Sequence, residues 1–419
     1  MPKLALHWQI LIGIALAVIA GLLSGNNPSA IAVYAFLGTL FLNALKMLIV
    51  PLVSASIITG MASLGDQDGF GRLGLKTLLF YTLSSLAAIL VGLALVNVIQ
   101  PGKTDSDALA QSISPDNAEL GATLSKIEGR DAGDVVEIFI RMVPENVVAA
   151  AANGQMLGLI FFSLLFGFFL AKSDFVHKNV LVQFWQGIMD VMTRITMWVM
   201  AFAPIGVFGL VAKTVATTGF EAFKPVLLFF ITVLAALAIH ALVTLPLILR
   251  WLGRVHPGGH LRAMFPAALT AFSTASSSAT LPLTMRCVEE NSGVSKRVGG
   301  FVLPLGATLN MDGTALYECV AALFIAQVYG LDLSFGQQFI VVWTALITSI
   351  GVAGIPAASL VAISVILGVI GLPLEGIGLL LITDRILDML RTAVNVFSDS
   401  CAALLIARSE GETTKVAHE

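Results

Sequence analysis

Apolar runs of bilayer length recur along this chain, and they limit its fold more than any other feature does. A helix needs about 20 mainly apolar residues to cross the hydrocarbon, because in lipid every backbone N–H and C=O has to be satisfied within its own segment. Reading such runs between charged or Gly/Pro-rich breaks predicts spans near 8–24, 30–58, 74–99, 155–171, 179–215 and 225–251. Several exceed the hydrocarbon thickness, which permits tilt or a bend. Composition agrees: 57% of residues are hydrophobic and 12% charged, against roughly a quarter charged in soluble domains, and the mean hydropathy is +0.92. The 419 residues therefore map to an all-α polytopic membrane protein and not to several soluble domains.

Other classes are weakened by what the chain lacks. The net charge is −3 with no long basic run, so there is no electrostatic footprint for nucleic acid. Cys287, Cys319 and Cys401 are far apart in or beside apolar runs and show no CxxC or Cys/His spacing; they read as buried, reduced side chains. Lys3 followed by the apolar run Ile10 to Leu23 resembles a leader, but it ends in Ser24-Gly25-Asn26-Asn27 without a small-x-small pattern, which predicts an uncleaved first span. The polar stretch from Gly102 to Asp134 reads as a mobile outside loop. Basic residues fall in alternate connections: Arg72 and Lys76, then Lys172 and Lys178, then Arg250, Arg254 and Arg262. The positive-inside rule then makes the N-terminus and the end of the sixth span cytoplasmic; the expected location is a bacterial inner membrane, multi-pass, with both termini cytoplasmic.

Beyond residue 251 the runs become interrupted. Two half-length apolar pieces near 260–290 flank Ser276-Ser277-Ser278, with Arg262 before and Arg286, Lys296 and Arg297 after; this predicts a re-entrant hairpin entering from the cytoplasm. Two more near 336–373 flank Gly351 to Pro356, with Asp332 and Glu375 nearby, and predict a hairpin entering from outside. Each is followed by a long helix, near 298–329 and 376–407, so a "hairpin plus span" unit occurs twice as an inverted repeat. Broken helices are tolerated at membrane depth only where they line a cavity or lie buried in protein, and paired broken segments point to a transport site.

Polar residues concentrate in these segments. Asp384, Asp388, Arg391, Asn395 and Asp399 are spaced by four, three, four and four residues, an arc of roughly 80° at about 100° per residue. A charge at the bilayer centre costs at least about 2.5 kcal/mol, so this stripe faces protein, water or ligand. Read blandly, it is a self-satisfied network locking Arg391 to Asp388 and Asp384. Read functionally, the carboxylates want cations or an amino group and Arg391 wants a carboxylate. Gly306, Thr308, Asn310, Asp312, Gly313 and Thr314 place an acid between glycines inside an apolar span, which predicts an unwound helix whose carbonyl, amide and carboxylate oxygens suit a small hard cation. With no His or Cys adjoining, a transition metal does not fit; the bland reading is a kink. The serine triplet, together with Gly351, Ala353, Gly354 and Ile355 at the other tip, offers hydroxyls and half-helix ends for a carboxylate. Tyr81, Ser84 and Ser85 read on pattern alone as interhelical hydrogen bonds. Glu318, an isolated acid in an apolar span, resists ionisation and is a candidate proton carrier.

At these residues the chain resembles the dicarboxylate/amino acid:cation symporter family, which includes the excitatory amino-acid transporters and archaeal aspartate transporters; the latter are among the transporters on which the inverted-repeat rule rests. The resemblance covers essentially the whole chain and is strongest over 265–405. It is carried by Ser276-Ser277-Ser278-Ala279-Thr280-Leu281-Pro282, Asn310-Met311-Asp312-Gly313-Thr314, Gly354-Ile355-Pro356 and Asp384-x3-Asp388-x2-Arg391-Thr392-x2-Asn395. The resemblance implies eight transmembrane helices plus two re-entrant hairpins in a homotrimer that works as an elevator. Residues 1–70 and 101–215 would form the scaffold, and 71–100 and 216–419 the transport domain. It implies an acidic amino-acid substrate, with Asp388 on the α-amino group and Arg391 on the side-chain carboxylate. Thr314, Thr392 and Asn395 would meet further polar atoms, and Ser276, Ser277 and Ser278 would hold the α-carboxylate with Gly354, Ile355 and Pro356. Neutral amino-acid carriers lack the arginine and C4-dicarboxylate carriers the aspartate; this chain has both. For sodium it implies one site at Gly306, Asn310, Asn395 and Asp399, a second at Tyr81, Ser84, Ser85, Asn310 and Asp312, and a third near Thr308, Ser349, Ile350 and Val352.

The sequence departs from the family at a few positions. Ser398 stands where the family usually has glycine. Ala275 replaces the arginine of archaeal members and Met389 that of animal carriers, a role Arg385 is placed to assume. Glu318 matches the animal carriers, where it is tied to proton and potassium coupling. The leading expectation is sodium-driven uptake of glutamate or aspartate with no organic cofactor, and the alternative is proton-driven uptake of the same substrates. From other classes, an ion channel also uses buried charges and broken helices, whereas a membrane enzyme is disfavoured because the embedded set holds no nucleophile–base pair.

Overall fold

The computed structural model describes residues 6–25, 27–63, 72–103, 140, 143–153, 155–173, 176–218, 223–351 and 358–416. The first two spans are α1 (Leu6–Ser24) and α2 (Pro28–Ser63), followed by α3 (Arg72–Ile99), a short α4 (Val147–Ala152) and α5 (Met156–Lys172). The run expected as one span over 179–215 is two helices, α6 (Lys178–Ala201) and α7 (Ala203–Thr218), bent by 51°. Pro204 accounts for the break, since a proline cannot continue the preceding ladder and suits a helix's first turn.

The next span begins as α8 (Phe223–Ile239), widens into a π turn (His240–Thr244) and resumes as α9 (Leu245–Trp251). Two hairpin units follow: α10 (Pro257–Thr274) with α11 (Ser277–Glu290), and α14 (Phe335–Gly351) with α15 (Ala358–Ile370). After the first come α12 (Lys296–Leu309) and α13 (Asp312–Val328), and after the second the 33-residue α16 (Ile377–Ser409). The "hairpin plus span" unit is thus present twice, and the expected unwinding in the penultimate span falls at Asn310 and Met311.

Five described helices are long and apolar enough to cross a membrane, six when the bent pair counts as one span. The first and fourth expected spans correspond to the shorter apolar stretches Trp8–Ser24 and Gly158–Lys172. Leu23, Phe36, Leu83, Phe169, Phe184 and Trp198 are all exposed, an apolar surface that fits lipid and not water. This is a multi-pass membrane protein.

Packing divides the helices into two groups. One group joins α1, α2, α5, α6 and α7; another joins α3, α8, α10 to α13 and α16. Every residue of α13 is buried, Asp312, Thr314 and Glu318 included. It lies against α3, α16 and the second hairpin. His260 of α10 is a satisfied core histidine, its ring nitrogens each 3.0 Å from Ser292 and Ser400 hydroxyls.

The chain beyond α16 ties down the ends of this second group. Glu410 pairs with Arg72 at 3.0 Å and Lys76 at 2.6 Å. Glu412 accepts from the backbone N–H and hydroxyl of Ser295, which caps α12. Lys415 N–H donates to Ser292 O, and Val416 O accepts from His256 N–H, each at 3.0 Å. The hydrogen bonds from Arg72 and Lys76 hold the Glu410 carboxyl down to about 2. A carboxylate so depressed stabilises the fold above its unfolded pKa of about 4.3, and that contribution fades as the pH falls toward 2. Glu410→Gln should therefore lower the melting temperature slightly at pH 7, with the two curves converging as the pH falls to about 2 when unfolding is followed in detergent.

Candidate functional site

In α16 the residues of the polar stripe turn into the bundle. Asp384, Asp388, Arg391, Thr392, Asn395 and Asp399 are all buried, and Arg391 is only 1% exposed. Arg391 Nη2 donates to Asp384 Oδ1 at 3.0 Å and Asp388 Oδ1 at 3.1 Å. Its guanidinium lies 3.7 Å from the ring centroid of Tyr317, whose hydroxyl donates to the same Asp384 oxygen at 3.0 Å. Arg385 Nη1 approaches Asp388 Oδ2 at 3.5 Å. Two carboxylates and two guanidiniums thus cancel in formal charge.

The cancellation is incomplete at the level of hydrogen bonds. Arg391 Nε and Nη1 have no acceptor among the described residues. A buried donor left unpaired costs about 1–3 kcal/mol, more when charged. What remains is a buried cationic group with donors to spare, beside a carboxylate that an ammonium could take over.

One turn further along, Asn395 joins α16 to the start of α13. Its Oδ1 accepts from Gly313 N–H at 2.8 Å and its Nδ2 donates to Thr314 Oγ1 at 3.1 Å. Glycine is required at 313 because a Cβ there would stand 2.9 Å from Arg391 O and 3.1 Å from Asn395 Oδ1. Gly306 is equally constrained, a Cβ meeting Asp399 Oδ1 at 2.5 Å and Tyr81 OH at 2.8 Å.

Between them the helix is open. Asn310 (φ −111°, ψ 95°) and Met311 (φ −124°, ψ 59°) leave helical geometry, which stops the ladder and frees carbonyls. Asn310 Nδ2 donates to Asp399 Oδ1 at 2.9 Å and Ser398 Oγ at 3.1 Å. Asp312 is fully buried and receives Ser85 at 2.7 Å and Ser84 at 3.2 Å on Oδ1, and Ser398 at 2.6 Å on Oδ2. Tyr81, on the same helix as the serines, donates to Val302 O at 2.7 Å. The structure therefore brings Tyr81, Ser84, Ser85, Gly306, Asn310, Asp312 and Asp399 into one buried, oxygen-rich cluster, with Asn395 beside it on Gly313 and Thr314. These donors suit a small hard cation.

The remaining expected residues divide. Thr392 Oγ1 bonds back to Asp388 O at 2.7 Å, and Thr308 Oγ1 to Leu305 O at 3.0 Å. At the first hairpin tip Ala275 is left-handed (φ 50°) and Ser276 caps α11 by accepting from Ala279 N–H at 3.2 Å. Ser277 is buried and Ser278 exposed. Ser349 Oγ bonds to Leu346 O at 2.9 Å, and Ile350 lies in the last turn of α14. Val352, Gly354, Ile355 and Pro356 lie outside the described residues. Glu318 is fully buried; its Oε2 accepts from Thr348 of the second hairpin at 2.9 Å, and Oε1 has no partner among the described residues.

Two contributors escape a reading of the sequence. Tyr317, under Arg391, looks like any aromatic in an apolar run. His240 places Nε2 3.0 Å from Asp312 Oδ2; its only signal in the sequence is a lone ionisable residue inside a span, a pattern that by default marks function.

Broken helices crossing inside a membrane bundle, with a paired but unsatisfied arginine beside a cation-type oxygen cluster, define a membrane transporter. Comparison with known proteins gives the family. Residues 6–409 match the model of the Sodium:dicarboxylate symporter family, and the chain belongs to it. It is 36% identical over 412 residues to the "Proton/sodium-glutamate symport protein" of Geobacillus stearothermophilus, covering 98% of this chain and 96% of the relative. It is 37% identical over 413 residues to the "Proton/glutamate-aspartate symporter" of Escherichia coli (strain K12), covering 97% and 93%. It is 36% identical over 441 residues to the "Excitatory amino acid transporter 3" of Mus musculus, covering 94% and 84%. The channel alternative is thereby corrected: buried charges and broken helices are shared by both classes, but the family is one of symporters.

The close approach at Gly313 can be checked directly. Gly313→Ala forces α13 away from α16 and should cost about 1–3 kcal/mol, as overpacking does. At Gly300 an added Cβ meets nothing within 4 Å, so Gly300→Ala should be neutral or stabilising by up to about 1 kcal/mol. Chemical denaturation or thermal unfolding of the purified variants reads both.

Proposed function

We propose that this protein is a secondary active symporter that takes up glutamate or aspartate together with sodium ions. The observation that carries the reading is Arg391: 1% exposed, paired on one nitrogen with Asp384 and Asp388, and unpartnered among the described residues on the other two. An acidic amino acid offers two carboxylates and one ammonium. Its side-chain carboxylate goes to Arg391, and Asp388, released in part from the guanidinium, takes the ammonium. Ser276, Ser277 and Ser278 with Gly354, Ile355 and Pro356 hold the α-carboxylate, while Thr314, Thr392 and Asn395 complete the polar lining.

Sodium is assigned to three places. Gly306, Asn310, Asn395 and Asp399 form one site, and Tyr81, Ser84, Ser85, Asn310 and Asp312 another. Thr308, Ser349, Ile350 and Val352 form the third. Asp312 and Asp399 are buried carboxylates, and a cation supplies the charge that burial otherwise makes costly. Coupling follows from shared parts: Asn395 touches both the substrate-facing Thr314 and Gly313, next to Asp312. Ordering one site orders the other, and such coupling works in both directions.

The two packing groups support an elevator, with α3 and 223–416 moving as one block against α1, α2 and α5 to α7. The assembly is a homotrimer of eight-span subunits in a bacterial inner membrane, with lipid around it and both termini cytoplasmic. Proton-coupled uptake of the same substrates is the second reading. It is favoured by Glu318, buried with one oxygen unpartnered, and by the proton coupling in the names of two relatives.

Arg391→Ala should lower kcat/KM for aspartate more than a hundredfold, roughly 3 kcal/mol for leaving buried charges unpaired; uptake with unchanged affinity would remove the substrate assignment. In proteoliposomes, a sodium gradient at equal pH should drive accumulation. If only a proton gradient does so, and Glu318→Gln abolishes it, the second reading replaces the first.

A further inference from the structure

His240 opens the five-residue π turn His240–Thr244, in which Leu245 N–H reaches back to His240 O. The wider turn has a cause nearby: Pro246 lacks an N–H, and in a regular helix its ring would strike the carbonyl four residues before it. Relief of that clash lets His240 sit where a π bulge often sits, at a functional site. The imidazole is fully buried, its Nε2 lies 3.0 Å from Asp312 Oδ2, and its Nδ1 has no partner among the described residues. Toward an ionised carboxylate the Nε2 atom can only donate.

Asp312 receives four hydrogen bonds, from α3, α16 and the π turn. Three come from hydroxyls, which rotate and can present a lone pair to an arriving cation instead of a proton. The imidazole N–H cannot do this. Its bond to Oδ2 is therefore the one that persists when an ion enters, and it keeps Oδ1, flanked by Ser84 and Ser85, turned toward that ion. We infer that His240 is a positioning residue for the cation site, a fixed donor that orients Asp312 without touching the ion. The inference rests on the reading of Asp312 as a cation ligand.

The experiment measures aspartate uptake into proteoliposomes against sodium chloride, balanced with choline chloride, at saturating aspartate. Loss of an outer partner of a metal ligand typically weakens affinity 10–100-fold. His240→Ala should thus raise the sodium concentration for half-maximal uptake about tenfold, with the maximal rate within about twofold. His240→Gln, whose amide nitrogen reaches the Nε2 position, should restore it to within about threefold, whereas His240→Asn, which reaches only the Nδ1 position, should not. Protection against thermal unfolding by sodium chloride alone should follow the same order and does not depend on transport. If His240→Ala folds poorly, the Gln and Asn pair carries the test. An unchanged sodium half-saturation in His240→Ala, or Gln no better than Asn, overturns the inference. Asp312→Asn separates the two levels. If it keeps the native sodium dependence, the cation reading fails. If it loses that dependence while His240→Ala does not change, only the positioning role fails.

Discussion

Arg391 is held 1% exposed among helices whose outer faces carry leucine and phenylalanine, and a charge so placed has to be matched atom by atom. Asp384 and Asp388 supply the countercharge, Tyr317 supplies a ring face and a second donor to Asp384, and α13 supplies the dry wall. Each of those groups is buried in turn, so each needs its own partner. The layout of the second packing group follows from meeting these needs with helices alone. A mismatch remains, since the donors on Nε and Nη1 have no acceptor among the described residues.

The oxygen-rich cluster around Asp312 obeys the same constraint with opposite sign. Asp312 and Asp399 are acids in an apolar interior, and the chain surrounds them with hydroxyls, an amide and an imidazole in place of a basic side chain. Opening the helix at Asn310 and Met311 makes this possible, since carbonyls released from the ladder become available without being exposed to lipid. Because Asn395 reaches across to Gly313 and Thr314, the opening is rigidly registered to the arginine one turn away.

The glycines show how narrow the tolerance is. At Gly306 and Gly313 the neighbouring helix comes so close that a methyl group would displace a carboxylate or a backbone carbonyl. Close approach of this kind lets polar groups on different helices meet at hydrogen-bonding distance. The prolines act differently. Pro204 bends the span it begins, whereas Pro246 is absorbed by a π turn that aims a histidine inward.

The apolar periodicity, the polar stripe of α16 and the broken segments were legible in the chain because each is local. Hydrophobic run length is set by bilayer thickness, a stripe by the helical repeat, and an unwound turn by glycine and asparagine within a few residues. The motifs at Ser276, Asn310 and Arg391 carried the family by resemblance for the same reason. The run over 179–215 holds a 51° bend that hydropathy did not place, because a proline at a helix start leaves no break in it. His240 against Asp312, 72 residues apart, and Tyr317 beneath Arg391 could not be read at all. The sequence by itself determined that this is a helical membrane protein with charges that must face inward. Which charge meets which, and which donors are left over, was decided only by tertiary packing, because a hydrogen bond depends on tenths of an ångström between helices and hydropathy carries no such distances.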